Sequence, residues 1–108
     1  MPHRSELDFR PGIFQAGPIG TLLDCAGATA AMTLLAPGWF ASTIDFSVKL
    51  IAPAQGDRFI ARGLVVAPGR SIAVSQAEVF AVRGEERILC AVGHVTVRNF
   101  ELRRPGHV

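Results

Sequence analysis

Charge is what this chain has least of: 19% of its 108 residues are Asp, Glu, Lys or Arg, against 49% that are apolar. That apolar share is too high, and the net charge of +2 too small, for a disordered chain. Lysine is nearly missing, with Lys49 alone beside ten arginines, of which only Arg103 and Arg104 are adjacent. Without a basic run or interleaved aromatics, nucleic acid is not expected as a partner. Cysteine is scarce too: Cys25 and Cys90 make neither a disulfide framework nor a CxxC pair. His3 and His107 sit near the two ends and His94 stands alone, so no metal-ligand cluster can be assembled. No uninterrupted membrane-length apolar run exists. Residues 11–44 hold a single charge, but Pro11, Pro18, Pro37 and interspersed Gly and Thr break them up. The first ten residues also lack the apolar stretch of a signal peptide. The expectation is one soluble cytoplasmic domain over residues 1–108, away from membranes.

What is present reads as one helix followed by strands. Residues 18–35 are rich in Ala, Leu and Met, with Pro18 suited to a first turn and Pro37-Gly38 to a stop. This helix of about five turns has no charged face, and such a helix is normally covered on most sides. From residue 41 the period becomes two: Ile44, Phe46, Val48 and Leu50 alternate with Thr43, Asp45, Ser47 and Lys49, as in a half-buried strand. Turns at Pro53–Asp57, Ala67–Arg70 and Arg83–Glu86 separate further strands at 58–67, 71–82 and 87–98, leaving the last ten residues as a tail. The fold class is α+β, a meander with the helix laid across one sheet face. One sheet covers only one side of a helix and leaves two open edges, so a homo-oligomer is expected, dimers being the commonest solution.

Between Arg10 and Asp45 the only charge is Asp24, in mid-helix. An isolated carboxylate among apolar residues must find donors, stay partly protonated or face a cavity. Placed so, it is a candidate general base or nucleophile. Its neighbours at three and four positions are Gly20, Thr21, Gly27 and Ala28, all small. Either something approaches Asp24 closely, or the small residues let the helix nest on the sheet. Gln15-Ala16-Gly17 lies just before Pro18, where the free N–H groups of a first turn would suit a developing oxyanion.

The stretch Gly12-Ile13-Phe14-Gln15-Ala16-Gly17-Pro18-Ile19-Gly20-Thr21-Leu22-Leu23-Asp24-Cys25-Ala26 resembles the loop-to-helix signature of the PaaI-like acyl-CoA thioesterases of the hotdog fold. Thr43-Ile44-Asp45-Phe46, Pro53-Ala54-x-Gly56-Asp57, Pro68-Gly69-Arg70-Ser71 and Ala91 to Val97 follow in that family's order over residues 11–98. The resemblance implies a long central helix wrapped by a curved antiparallel sheet, paired into homodimers or homotetramers with active sites at the subunit interface. It implies an acyl-CoA substrate, with no cofactor beyond the coenzyme A that the substrate carries. Asp24 would attack the thioester or activate water, and the backbone N–H at Ala16 and Gly17 would polarise the carbonyl from the other subunit. By the same resemblance Gln15 would fall beside the thioester, Thr43 would orient the water or carboxylate, and Gly69, Arg70 and Ser71 would meet the CoA phosphates. Two departures stand out. The family's His-Gly-Gly has become Gln15-Ala16-Gly17, and the N-terminus is shortened: either the domain is a minimal version with Ser5 to Phe9 as a vestigial first strand, or the start codon is misplaced.

A non-catalytic acyl-CoA-binding protein on the same fold is the alternative, favoured by the missing histidine. A hydratase would need a well-placed histidine, which His94 is not, and a purely structural module would have no affinity for CoA. Other residues have ordinary readings. His94 is expected as a hydrogen-bonded packing residue, Cys25 points about 100° away from Asp24 on a helix, and Trp39 and Phe40 are expected to plug the core, with an acyl-pocket wall as the alternative. Glu78 is the reserve candidate should Asp24 prove structural.

Overall fold

The computed structural model describes residues 1–4, 8–10, 13–14 and 16–101. Two short strands, β1 (Asp8–Arg10) and β2 (Ile13–Phe14), pair with each other antiparallel. Of the expected first strand at Ser5 to Phe9, the part at 5–7 lies outside the described residues, and pairing begins at Asp8. The helix α1 (Ala16–Met32) follows, then β3 (Trp39–Leu50), β4 (Arg58–Ala67), β5 (Ile72–Arg83) and β6 (Glu86–Glu101). The four long strands form one antiparallel sheet, and α1 packs against all four.

The helix starts two residues before Pro18, which leaves the proline in the first turn where its missing N–H goes unneeded. It ends at Met32 rather than Leu35. Leu34 N–H and Leu35 N–H reach back three residues, to the carbonyls of Ala31 and Met32, so the chain tightens before Gly38 turns it with a φ of 88°.

The strand order is β3-β6-β5-β4, not the successive order of a meander. β4, β5 and β6 do run as hairpins, the last through Gly84, whose φ of 61° is the positive first position of a type II′ turn. β3 instead pairs with the last strand. The segment 51–57 carries the chain from one sheet edge to the other across the strand ends. Ile51 N–H donates to Cys90 O (2.9 Å) on β6, and Asp57 N–H to Val82 O (2.8 Å) on β5. A Cβ at Gly56 would sit 2.8 Å from Val82 O, so the crossing hugs the sheet only with glycine there. The period of two specified the strands but carried no information about partners. β6 also runs on to Glu101, so residues 99–101 belong to the sheet and not to a tail.

The core is built from small groups. Ala73, Ala77, Ala81 and Ala91 lie buried in the sheet beside Val79, Val95 and Val97, and Ile19 and Leu23 descend onto them from the helix. Phe59 is the one aromatic in that core; a side chain of that size contributes about 1.5–3 kcal/mol on full burial. Two glycines set how close the helix lies. A Cβ on Gly27 would fall 2.5 Å from Val95 Cγ2, and one on Gly63 of β4 would run into the Ala26 carbonyl oxygen. Of the small residues near Asp24, Gly27 thus serves helix seating. Trp39 and Phe40 are only half-buried, with the Phe40 ring 6.3 Å from that of Phe100, so they flank the core rather than plug it. Within the single chain the sheet covers only one side of α1. Thr21, Cys25 and Thr29 remain exposed on the other.

β3 carries an irregularity that the alternation concealed. Thr43 is paired with Val97 but Asp45 with Thr96, so Ile44 is an extra residue opposite nothing. Before it, Ala41 and Thr43 face the helix; after it, Phe46 and Val48 do, both lying against Gly20. Ile44 is not part of a buried row but 56% exposed. Phe46, Val48 and Leu50, expected to be buried, are exposed in the single chain as well, because β3 is an edge strand.

Candidate active site

Asp24 lies on the half-buried flank of α1 that faces β3. Its carboxylate Oδ1 accepts a hydrogen bond of 2.7 Å from Thr43 Oγ1. Two residues nineteen apart in the chain are thereby joined, and the bulge at Ile44 is what lets Thr43 share a face with Phe46. One carboxylate oxygen is held by this donor; nothing described donates to the other. A carboxylate tethered at one oxygen keeps the second oriented, as a general base requires. The Phe46 ring lies one helical turn away, against Gly20, and gives the site an apolar wall.

Ala16 and Gly17 are the first two residues of α1, so their N–H groups are among the four that no helical carbonyl can reach. The positive end of the helix dipole lies there. Ala16 replaces a glycine of the family pattern without strain, because a helical φ is negative and no described non-glycine residue has a positive one. Gln15 lies outside the described residues. Gly69, Arg70 and Ser71 form the exposed turn between β4 and β5, two strands from β3, about 10 Å at the usual strand spacing.

The remaining candidates fall away from this site. Glu78 faces the opposite side of the sheet and is paired with Arg62 (2.8 Å). His94 is exposed on the outer face beside Ser47 and Gln76, rather than packed. Cys25 is exposed, while Cys90 is buried under the sheet, where burial pushes its thiol up against the smaller downward pull of backbone hydrogen bonds. Among the described residues no three His, Cys, Asp or Glu side chains are grouped for a metal ion, and no helix is long and apolar enough to cross a membrane. One residue the sequence reading missed is Asn99, whose amide holds the Gly69–Arg70 turn. Its only signal was an asparagine within a β run, where that residue is depleted.

Replacing Thr43 by Val keeps the side-chain shape and removes the donor. The expected outcome is a kcat lowered about tenfold by loss of the hydrogen bond that orients Asp24, with an unchanged melting temperature. Steady-state kinetics beside a thermal melt check it, and an unchanged kcat would remove Thr43 from the machinery.

No protein-family sequence model and no curated protein sequence matches the chain. Solved structures do. A thioesterase family protein from Silicibacter pomeroyi superposes with a TM-score of 0.90 at 33% identity, over 94% of this chain and 75% of that one. A Bacillus halodurans protein, whose structure was determined with CoA, gives 0.84 at 20% identity over 93% and 68%. A phenylacetic acid degradation-related protein from Ralstonia eutropha gives 0.78 at 22% identity over 90% and 70%. One helix cradled by a four-stranded antiparallel sheet, a helix carboxylate bonded to an edge-strand threonine, and one-third identity over most of both chains converge: the chain belongs to the PaaI-like thioesterase family of the hotdog fold.

Proposed function

We propose that this protein hydrolyses an acyl-CoA thioester to free acid and CoA, with Asp24 as its base or nucleophile. The observation that carries the reading is the Asp24–Thr43 hydrogen bond, which gives the single charge of the helix a fixed orientation. The Bacillus halodurans structure with CoA supports a CoA-type ligand on this fold. As base, Asp24 takes a proton from water while the hydroxide oxygen adds to the thioester carbon. Negative charge gathers on the former carbonyl oxygen and is met by the first-turn N–H groups at Ala16 and Gly17 of a partner subunit. The C–S bond then breaks, and the proton on Asp24 passes to the departing sulfur. As nucleophile, Asp24 would add to the same carbon, and the C–S bond would break with CoA leaving as its thiolate. One water would then cleave the resulting anhydride, its two protons ending on the free acid and the thiolate, and the Asp24 carboxylate would be restored. Thr43 serves either course by holding the carboxylate.

The reading includes a homo-oligomer, dimer or tetramer, because the site needs donors from a second copy. The exposed edge of β3, with Ile44 and Phe46 (42% exposed) along it, supports this. An uncovered strand edge presents a row of unpaired N–H and C=O groups, a ready template for pairing with another chain.

A second reading, an acyl-CoA-binding protein without turnover, is favoured by one observation: Gln15-Ala16 stands where the family has His-Gly. Free-thiol release from a panel of aryl- and fatty-acyl-CoA thioesters separates the two. Turnover is the expected result. Saturable binding of the same thioesters without thiol release would replace hydrolysis by ligand binding.

A further inference from the structure

The turn between β4 and β5 is held from below by a single buried side chain. Asn99, 7% exposed on β6, donates from Nδ2 to the carbonyl oxygens of Gly69 (3.0 Å) and Arg70 (3.4 Å). Its backbone N–H donates to the carbonyl of Ser71 (2.7 Å). Three consecutive carbonyls therefore point at one residue. In a planar trans peptide the N–H points opposite to the preceding carbonyl, and the described chain has no cis bond. The N–H groups of Arg70 and Ser71 are accordingly turned away from Asn99, toward the exposed side of the turn. No acceptor among the described residues takes either of them.

Successive N–H groups turned to one side form a concavity suited to an anion, and the Arg70 guanidinium on the same turn matches phosphate oxygens by its planar fork. Gly69 is required for the shape, since a Cβ there would run into the Ile72 carbonyl oxygen. A further observation is independent of the turn's own geometry. Asn99 Oδ1 is buried without a hydrogen-bond partner. An unmet buried acceptor works against stability, and such groups in native folds usually mark something other than packing. The amide is retained for its two donors.

We propose that Asn99 is the positioning residue for phosphate recognition: by drawing the carbonyls of residues 69–71 inward it presents the Arg70 and Ser71 N–H groups to a phosphate of the CoA portion of the substrate. This rests on the acyl-CoA reading above. Asn99→Ala is expected to raise KM for an acyl-CoA about tenfold while kcat stays within about twofold. A thioester of the same acyl group with N-acetylcysteamine, which carries no phosphate, is expected to be hydrolysed by wild type and variant alike. Equal losses on both thioesters, or an unchanged KM for acyl-CoA, would overturn the assignment. A measurement on wild type stands apart from the variant's folding: amide resonances of Arg70 and Ser71 are expected to shift on titration with CoA and to stay put with N-acetylcysteamine. Their failure to move with CoA would overturn the proposal. Should wild type turn over neither thioester, hydrolysis fails as the function, and the CoA titration alone decides for or against Asn99.

Discussion

Asp24→Asn is expected to lower kcat for acyl-CoA hydrolysis by about 10²–10⁴, the range a positioned general base contributes. The change keeps side-chain volume, and an amide oxygen can still accept from Thr43 Oγ1, so the 2.7 Å contact survives. What disappears is the ability to take a proton from water or to attack a carbonyl. Circular dichroism and the oligomeric state are expected to match wild type, because Asp24 is only half-buried and makes no other described hydrogen bond. Retention of more than a tenth of the wild-type kcat in a correctly folded variant would show that the carboxylate is a bystander. Comparison with Thr43→Val then sorts the roles: loss of the base costs far more than loss of its orienting donor.

Gly63→Ala is expected to be strongly destabilising, because its methyl would part the helix from the sheet. Its Cβ would meet the Ala26 carbonyl oxygen and carbon, with the Ala30 Cβ at 3.2 Å, and neither partner is a flexible side chain that can swing aside. The helix would have to lift from β4 along the stretch that carries Asp24. Overpacking of this kind costs about 1–3 kcal/mol, and the upper end applies where backbone meets backbone. For a chain of this length 3 kcal/mol corresponds to a melting temperature lower by roughly 12–24 °C. Thermal unfolding at one fixed protein concentration measures it, since association also shifts the midpoint. A drop of less than a few degrees would mean that the helix rests on the sheet more loosely than Gly63 indicates. Activity offers a second reading of the same strain, because a displaced Asp24 loses Thr43.

The helix, the long strands and most turns could be read in the sequence because each has a local cause: Ala and Leu propensity, alternation, and Gly or Pro at the breaks. Asp24 was equally plain, since a lone charge among 34 residues has no camouflage. Neither its partner nor the order of the sheet could be reached that way. Simple alternation puts Thr43 and Phe46 on opposite faces; only the family resemblance pointed to Thr43, and the extra residue at Ile44 is what reconciles the two. Strand order was invisible for a related reason. Segment 51–57 is held by carbonyls of Cys90 and Val82, residues distant in sequence, and a local pattern does not encode a distant acceptor. Asn99 was lost to an end drawn too early, because the β6 pattern weakens where the strand begins to serve the neighbouring turn.

The irregularity at Ile44 divides β3 into two stretches of opposite phase. Before it, odd-numbered positions look inward and help to shape the chemistry; after it, even-numbered ones do and hold the helix. Along this strand, tolerance to substitution would keep a beat of two, skip once, and resume on the other foot. Paired residue for residue without that bulge, the same strand would have to choose between a threonine beside the carboxylate and a phenylalanine beneath the helix. One surplus residue lets a single strand serve both duties.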